Sequence, residues 1–143
     1  MIITFCGHSD FYEARAFHDK MMQIITETAK GESVDFYLGG YGRFDDFAYS
    51  CAKEYKSAYP DCRLVFVTPY MGISYLRHRE QVFDEVIFPD IENVPHRFRI
   101  SKRNEYMVNS ADLVIAYVTR AYGGAYKTLQ YASKINKIVV NIV

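Results

Sequence analysis

Leu113-Val114-Ile115-Ala116-Tyr117-Val118 is a run of six apolar residues, and Tyr122-Gly123-Gly124-Ala125-Tyr126-Lys127-Thr128 follows it closely. A short apolar run bounded by turn residues reads as a buried strand. Glycine after a strand lets the backbone turn tightly into a helix, with no Cβ in the way of a ligand. The helix so begun offers unpaired N–H groups and the positive end of its dipole to an anion. The same grammar occurs earlier, where Val34-Asp35-Phe36-Tyr37 leads into Leu38-Gly39-Gly40-Tyr41-Gly42-Arg43-Phe44-Asp45.

Working outward from these two turns, strands and helices alternate. Apolar strands are expected at Ile2–Cys6, Val34–Leu38, Arg63–Thr68, Glu85–Phe88, Asp112–Val118 and Lys137–Val143. Helical spacing of apolar residues predicts helices over Glu13–Lys30, Phe44–Tyr59, Ile100–Ser110 and Gly124–Asn136, with a short one at Ile73–Val82. Asn93 and Pro95 mark Asp90–Phe98 as a loop. Strands apolar along their whole length, separated by helices, imply an α/β three-layer domain with a mostly parallel sheet and helices on both faces. Right-handed crossovers put all the strand-to-helix loops on one edge, and ligands of such sheets bind there. Both glycine turns are therefore expected at one crevice.

At 143 residues the chain fits one domain, 1–143. Seventeen basic and seventeen acidic residues cancel, which argues against a broad nucleic-acid footprint and so against a nucleic-acid partner. No apolar run approaches the roughly 20 residues of a membrane span, and the N-terminus lacks the basic start of a signal peptide. Cys6, Cys51 and Cys62 share no C-x-x-C spacing and read as buried, reduced thiols of a cytoplasmic protein. No His or Cys spacing suggests a metal, and no cofactor is implied. Thirteen tyrosines without a tryptophan suit base-stacking pockets and subunit interfaces alike, so self-association is expected.

Several side chains at the predicted edge have chemistry to offer. Gly7-His8-Ser9 follows the first strand, and Ser9 and Asp10 either face a ligand or cap the next helix. Asp45, just past Gly39, Gly40, Tyr41 and Gly42, either binds ribose hydroxyls or acts as a base, or it favours the helix terminus electrostatically. The turn is neither a P-loop nor a G-x-G-x-x-G fingerprint. Arg97, Arg99, Lys102 and Arg103 form a basic cluster in which Arg99 and Arg103 share a helix face, a spacing suited to clamping phosphate. Asn104, Gly123, Gly124, Tyr126, Lys127 and Thr128 complete the set of candidate ligand contacts.

In order and spacing, Gly7-His8, Gly39-Gly40-Tyr41-Gly42-Arg43-Phe44-Asp45 with Ala48, Arg103-Asn104-Glu105-Tyr106-Met107-Val108, Ser110-Ala111-Asp112, and Gly123-Gly124 with Thr128 and Tyr131-Ala132 resemble the SLOG superfamily. The likeness is to its small bacterial and phage branch, near molybdenum-cofactor-carrier-like and Lonely Guy-like proteins. It implies a Rossmann-like domain that binds nucleotides or nucleotide-derived, including cyclic signalling, molecules at its glycine turns. Some members are sensor domains, and some occur in phage-defence systems. Lonely Guy-type relatives hydrolyse the N-glycosidic bond of nucleoside monophosphates with Pro-Gly-Gly-x-Gly-Thr-x-x-Glu and an arginine on the preceding helix. Arg103 matches that arginine, but Tyr122, Tyr126, Lys127 and Gln130 replace the proline, third glycine, threonine and glutamate.

Three functions compete at this point. The first is a sensor or sequestering module for a nucleotide-derived small molecule, with Arg103 and Lys127 neutralising phosphate and Tyr41 or Tyr126 stacking on a base. No catalytic residue is assigned in that reading. The second is a phosphoribohydrolase using Asp45 and Arg103. The third is an oligomeric scaffold in which the glycines are architectural only.

Overall fold

A computed structural model of the chain describes residues 1–70 and 81–143. Six strands form one sheet: β1 (Ile2–Gly7), β2 (Asp35–Leu38), β3 (Arg63–Val67), β4 (Glu85–Ile87), β5 (Leu113–Tyr117) and β6 (Val139–Asn141). Their spatial order is β4-β3-β2-β1-β5-β6, and every neighbouring pair is parallel. Helices α1 (Ala14–Ala29), α2 (Arg43–Ala58), α3 (Arg99–Ser110) and α4 (Gly124–Lys134) connect them, with a 3-10 turn at His96–Phe98. This is an α/β Rossmann-like fold. The helix expected over Ile73–Val82 lies almost wholly outside the described residues. The loop expected up to Phe98 instead tightens into the 3-10 turn before α3.

Alternation along the strands explains the two covered faces. Leu113, Ile115 and Tyr117 of β5 join Ile3 and Phe5 of β1 in a core shared with Met21, Ile25, Phe44, Phe47 and Ala48 of α1 and α2. Val114 and Ala116 point the other way and, with Cys6, meet Val108 of α3 and Ala132 of α4. Burial of each large side chain here contributes roughly 1.5–3 kcal/mol. Met21, Ile25 and Ala29 recur every fourth residue, which is why α1 forms where the spacing predicts it. No helix among the described residues is long and apolar enough to cross a membrane.

The strand order reverses beside β1. From β1 the chain builds outward through β2, β3 and β4, then returns to lay β5 on β1's other side. The loops after β1 and β5 consequently diverge from neighbouring strand ends, with Gly7 opposite Tyr117. A crevice at that point is the usual ligand position of such sheets.

Candidate functional site

A cavity of about 270 Å³ opens where the strand order reverses, lined by residues from the loops after β1, β2 and β5 and from α3 and α4. Of the residues expected to contact a ligand, Gly7, His8, Ser9, Tyr41, Asp45, Asn104, Gly123, Gly124 and Thr128 line it. Gly39, Gly40, Gly42, Arg103, Tyr126 and Lys127 stand outside its lining, for separate reasons.

The two glycine turns are backbone twins with different fates. Gly42, preceding α2, has φ 92° and ψ 173°; Gly123, preceding α4, has φ 91° and ψ 176°. At Gly42 the protein itself occupies the space, because a Cβ there would lie 2.7 Å from Ser9 Cα. The Arg43 amide donates to the Ser9 carbonyl at 3.0 Å, and the Tyr41 amide donates to Asp45 Oδ2 at 2.8 Å. Asp45 and Asp46 add negative charge to that first turn. At α2, then, the protein's own Ser9 carbonyl and Asp45 carboxylate already take donors of the turn.

Among the described residues, nothing fills the equivalent space at α4. A Cβ on Gly123 or on Gly124 would meet no atom within 4 Å. No side chain caps the helix, its first turn carries no acid, and Lys127 supplies the amide that closes the first bond, to the Gly123 carbonyl at 3.1 Å. The amides ahead of it are aimed outward with the positive end of the helix dipole behind them. Thr128, buried one turn on, returns its hydroxyl to the Gly124 carbonyl at 2.9 Å and so stiffens this turn.

Arg103 stands behind the crevice and not in its lining. It is only 2% exposed, and its Nη1 donates to the carbonyls of Gly39 at 2.8 Å and Val67 at 2.7 Å, beyond the ends of β2 and at the end of β3. Its Nε donates to Asn104 Oδ1 at 2.9 Å. It ties strand ends together. Because Oδ1 must face that donor, the Asn104 amide N–H groups point away from Arg103. Arg99 folds back onto the carbonyls of Val94 and Glu92, and Lys102 pairs with Glu105 at 3.3 Å. The basic cluster thus disperses into separate tasks. Tyr126 receives a bond from Gln130 at 3.0 Å and packs among the α3–α4 apolar residues.

Titration follows from these surroundings. Burial pushes the Asp45 carboxyl up to about 6, against the opposing pull of the Tyr41 amide and the nearby Arg103 guanidinium. Burial and Asp45 raise the Cys6 thiol to about 12, so this crevice-lining cysteine is no nucleophile at neutral pH. His8 is 4% exposed, and its Nε2 accepts the Thr119 amide at 2.9 Å. That bond requires an unprotonated Nε2, so the ring is neutral; burial, then Arg120, lower its pKa. His8 therefore pins the β1 loop to the β5 loop. Gly7 is likewise structural, since a Cβ there would fall 2.2 Å from the Phe44 ring.

One charged residue of the crevice was not singled out from sequence. Arg120 lines it and makes a two-pronged ion pair with Asp10, at 3.0 and 3.2 Å, across the loops that follow β1 and β5. Its Nε is buried and has no hydrogen-bond partner among the described residues. The available signal was Asp10 and Arg120 standing three residues past the ends of adjacent strands. Asp10 and Ser9 do not cap α1, whose N-terminus has no side-chain cap.

Neither a family model nor a curated protein sequence matches the chain. Solved structures do resemble it. DNA processing protein A from Helicobacter pylori, which binds single-stranded DNA, superposes with a TM-score of 0.65 at 15% identity, over 97% of this chain and 63% of its own. The Streptococcus pneumoniae DNA processing protein A gives 0.66 at 13%, over 96% and 48%. The structural-genomics target TM1055 gives 0.59 at 14%, over 96% and 71%. At such identities the likeness is one of fold, and it extends over nearly the whole of this chain.

Proposed function

We propose that the chain binds a nucleotide or nucleotide-derived small molecule, with a phosphate on the first turn of α4 and the sugar or base in the crevice beside it. The observation that carries this reading is the contrast between the twin turns: the one before α2 is filled by Ser9 and acidic side chains, while the one before α4 is open. Arg120, held through both Nη atoms by Asp10, brings to the lining an Nε with no partner among the described residues, and the Asn104 amide and the Asp45 carboxylate suit hydroxyl or base edges. The resemblance to SLOG proteins points to the same ligand class. Native mass spectrometry of freshly purified protein, followed by extraction, tests it. A co-purifying nucleotide, or thermal stabilisation by members of a nucleotide panel, is expected. Protein that is empty and indifferent to the panel overturns the reading and leaves the glycines as architecture.

A hydrolytic reading keeps one specific observation in its favour, the carboxylate of Asp45 in the crevice wall. Against it, Gln130 stands where related hydrolases carry glutamate and is engaged with Tyr126. Arg103, its other candidate, is committed to backbone carbonyls. Release of free base from a nucleoside monophosphate by the wild type, abolished in Asp45→Asn, is the outcome this reading requires.

A further inference from the structure

The crevice at β1 and β5 is small. Its 270 Å³ lies below the roughly 300–1,000 Å³ typical of small-molecule sites. It does not end there. A second cavity of about 560 Å³ runs between α3 and α4, and Ile100, Asn104, Gly124 and Thr128 line both. The junction is the first turn of α4, where the preceding section seats a phosphate. A molecule anchored at that turn has space on two sides.

The second space has its own chemistry. Lys127 and Arg97 line it, both exposed, and neither has an ion-pair partner among the described residues. The acid that shares this groove, Glu105, is already held by Lys102 at 3.3 Å. Phe98, 46% exposed, and Tyr131 supply flat apolar surface, and the Arg97 guanidinium lies 4.8 Å from the Phe98 ring centre. Uncompensated cations beside an aromatic platform suit a second anion attached to a second planar group.

Building on that reading of the crevice, we infer that the ligand consists of two phosphate-bearing nucleotide units. One lies in the crevice and the other in the groove between α3 and α4, and Lys127 and Arg97 neutralise the second phosphate.

Isothermal titration of the full chain tests this with two probe sets, the four nucleoside 5′-monophosphates and the matching 5′-phosphorylated linear dinucleotides. The best dinucleotide is expected to bind at least tenfold more tightly than its mononucleotide. An Arg97→Ala/Lys127→Ala double variant brings the dinucleotide down to mononucleotide affinity. Both side chains are exposed, so its melting temperature stays that of the wild type and the loss is one of contacts. Equal affinities for the two sets, or a dinucleotide advantage that survives the double variant, overturn the inference while nucleotide binding in the crevice stands. If neither set binds, the crevice reading falls and this inference with it.

Discussion

Gly7 and Gly124 have the same side chain and opposite duties. Gly7→Ala drives a Cβ into the Phe44 ring, and the expected cost is about 1–3 kcal/mol, read by chemical denaturation. Gly124→Ala adds a Cβ into open space, so stability is expected to change by no more than about 0.5 kcal/mol. The same methyl narrows the crevice at the anion position, and nucleotide affinity is expected to fall about tenfold, close to 1.4 kcal/mol. Asp45 gives a pH signature. Its carboxyl titrates at about 6 in the folded chain against 3.8 when free, so the native state holds the proton more tightly. Its contribution is therefore full below about pH 4, is lost between about 4 and 6, and is flat above, with a span of at most about 3 kcal/mol. Asp45→Asn keeps an acceptor for the Tyr41 amide and removes that slope, which denaturation across this pH range measures. Sequence could name Asp45 and both glycines but not their neighbours. Whether Cβ space is filled depends on Ser9 and Phe44, which are distant in the chain from the glycines they contact. The burial of Arg103 was likewise hidden, because helical spacing shows a face and not what lies against it.

At the scale of elements, α2 and α4 start from the same glycine geometry and differ in charge and in company. Titrating the labelled protein with inorganic phosphate is expected to move the amide resonances of Gly124, Ala125 and Tyr126. Those of Arg43 and Phe44, facing the Ser9 loop and two acids, are expected to stay in place. Shifts at both termini, or at neither, would contradict the assignment of the anion to α4. The elements themselves were legible within a residue or two, because α1, α2 and α4 carry clear apolar stripes and β1 and β5 are nearly continuous apolar runs. Legibility failed where an element is defined by something other than its own pattern. The Arg120–Asp10 pair joins two loops that only the sheet brings together, and the burial of Arg103 out of the basic cluster depends on carbonyls at strand ends.

Across the whole molecule, the central strands are covered on both faces and the outermost ones are short. Hydrogen exchange is expected to be slowest at the amides of β1, β2 and β5, which open only with global unfolding, and faster by orders of magnitude at three-residue β4 and β6. Because the loops after β1 and β5 stand on two of these strands, the crevice is expected to have a rigid floor. The alternation of strand and helix was sufficient to anticipate this architecture, including the edge on which the loops gather. The order of strands, with the return of β5 to the side of β1, was not spelled out by any local pattern.

The repeated turn has a practical corollary. At α2 the chain holds its own carbonyl oxygen, that of Ser9, 3.0 Å from the amide that follows the glycine. Gly42 and Gly123 share their backbone angles to within a few degrees, so this internal pair serves as a ruler. Carried onto α4, it marks the point opposite the Gly124 amide where an incoming oxygen is to be sought. A docking search or a difference map can be anchored there before the visitor's identity is known.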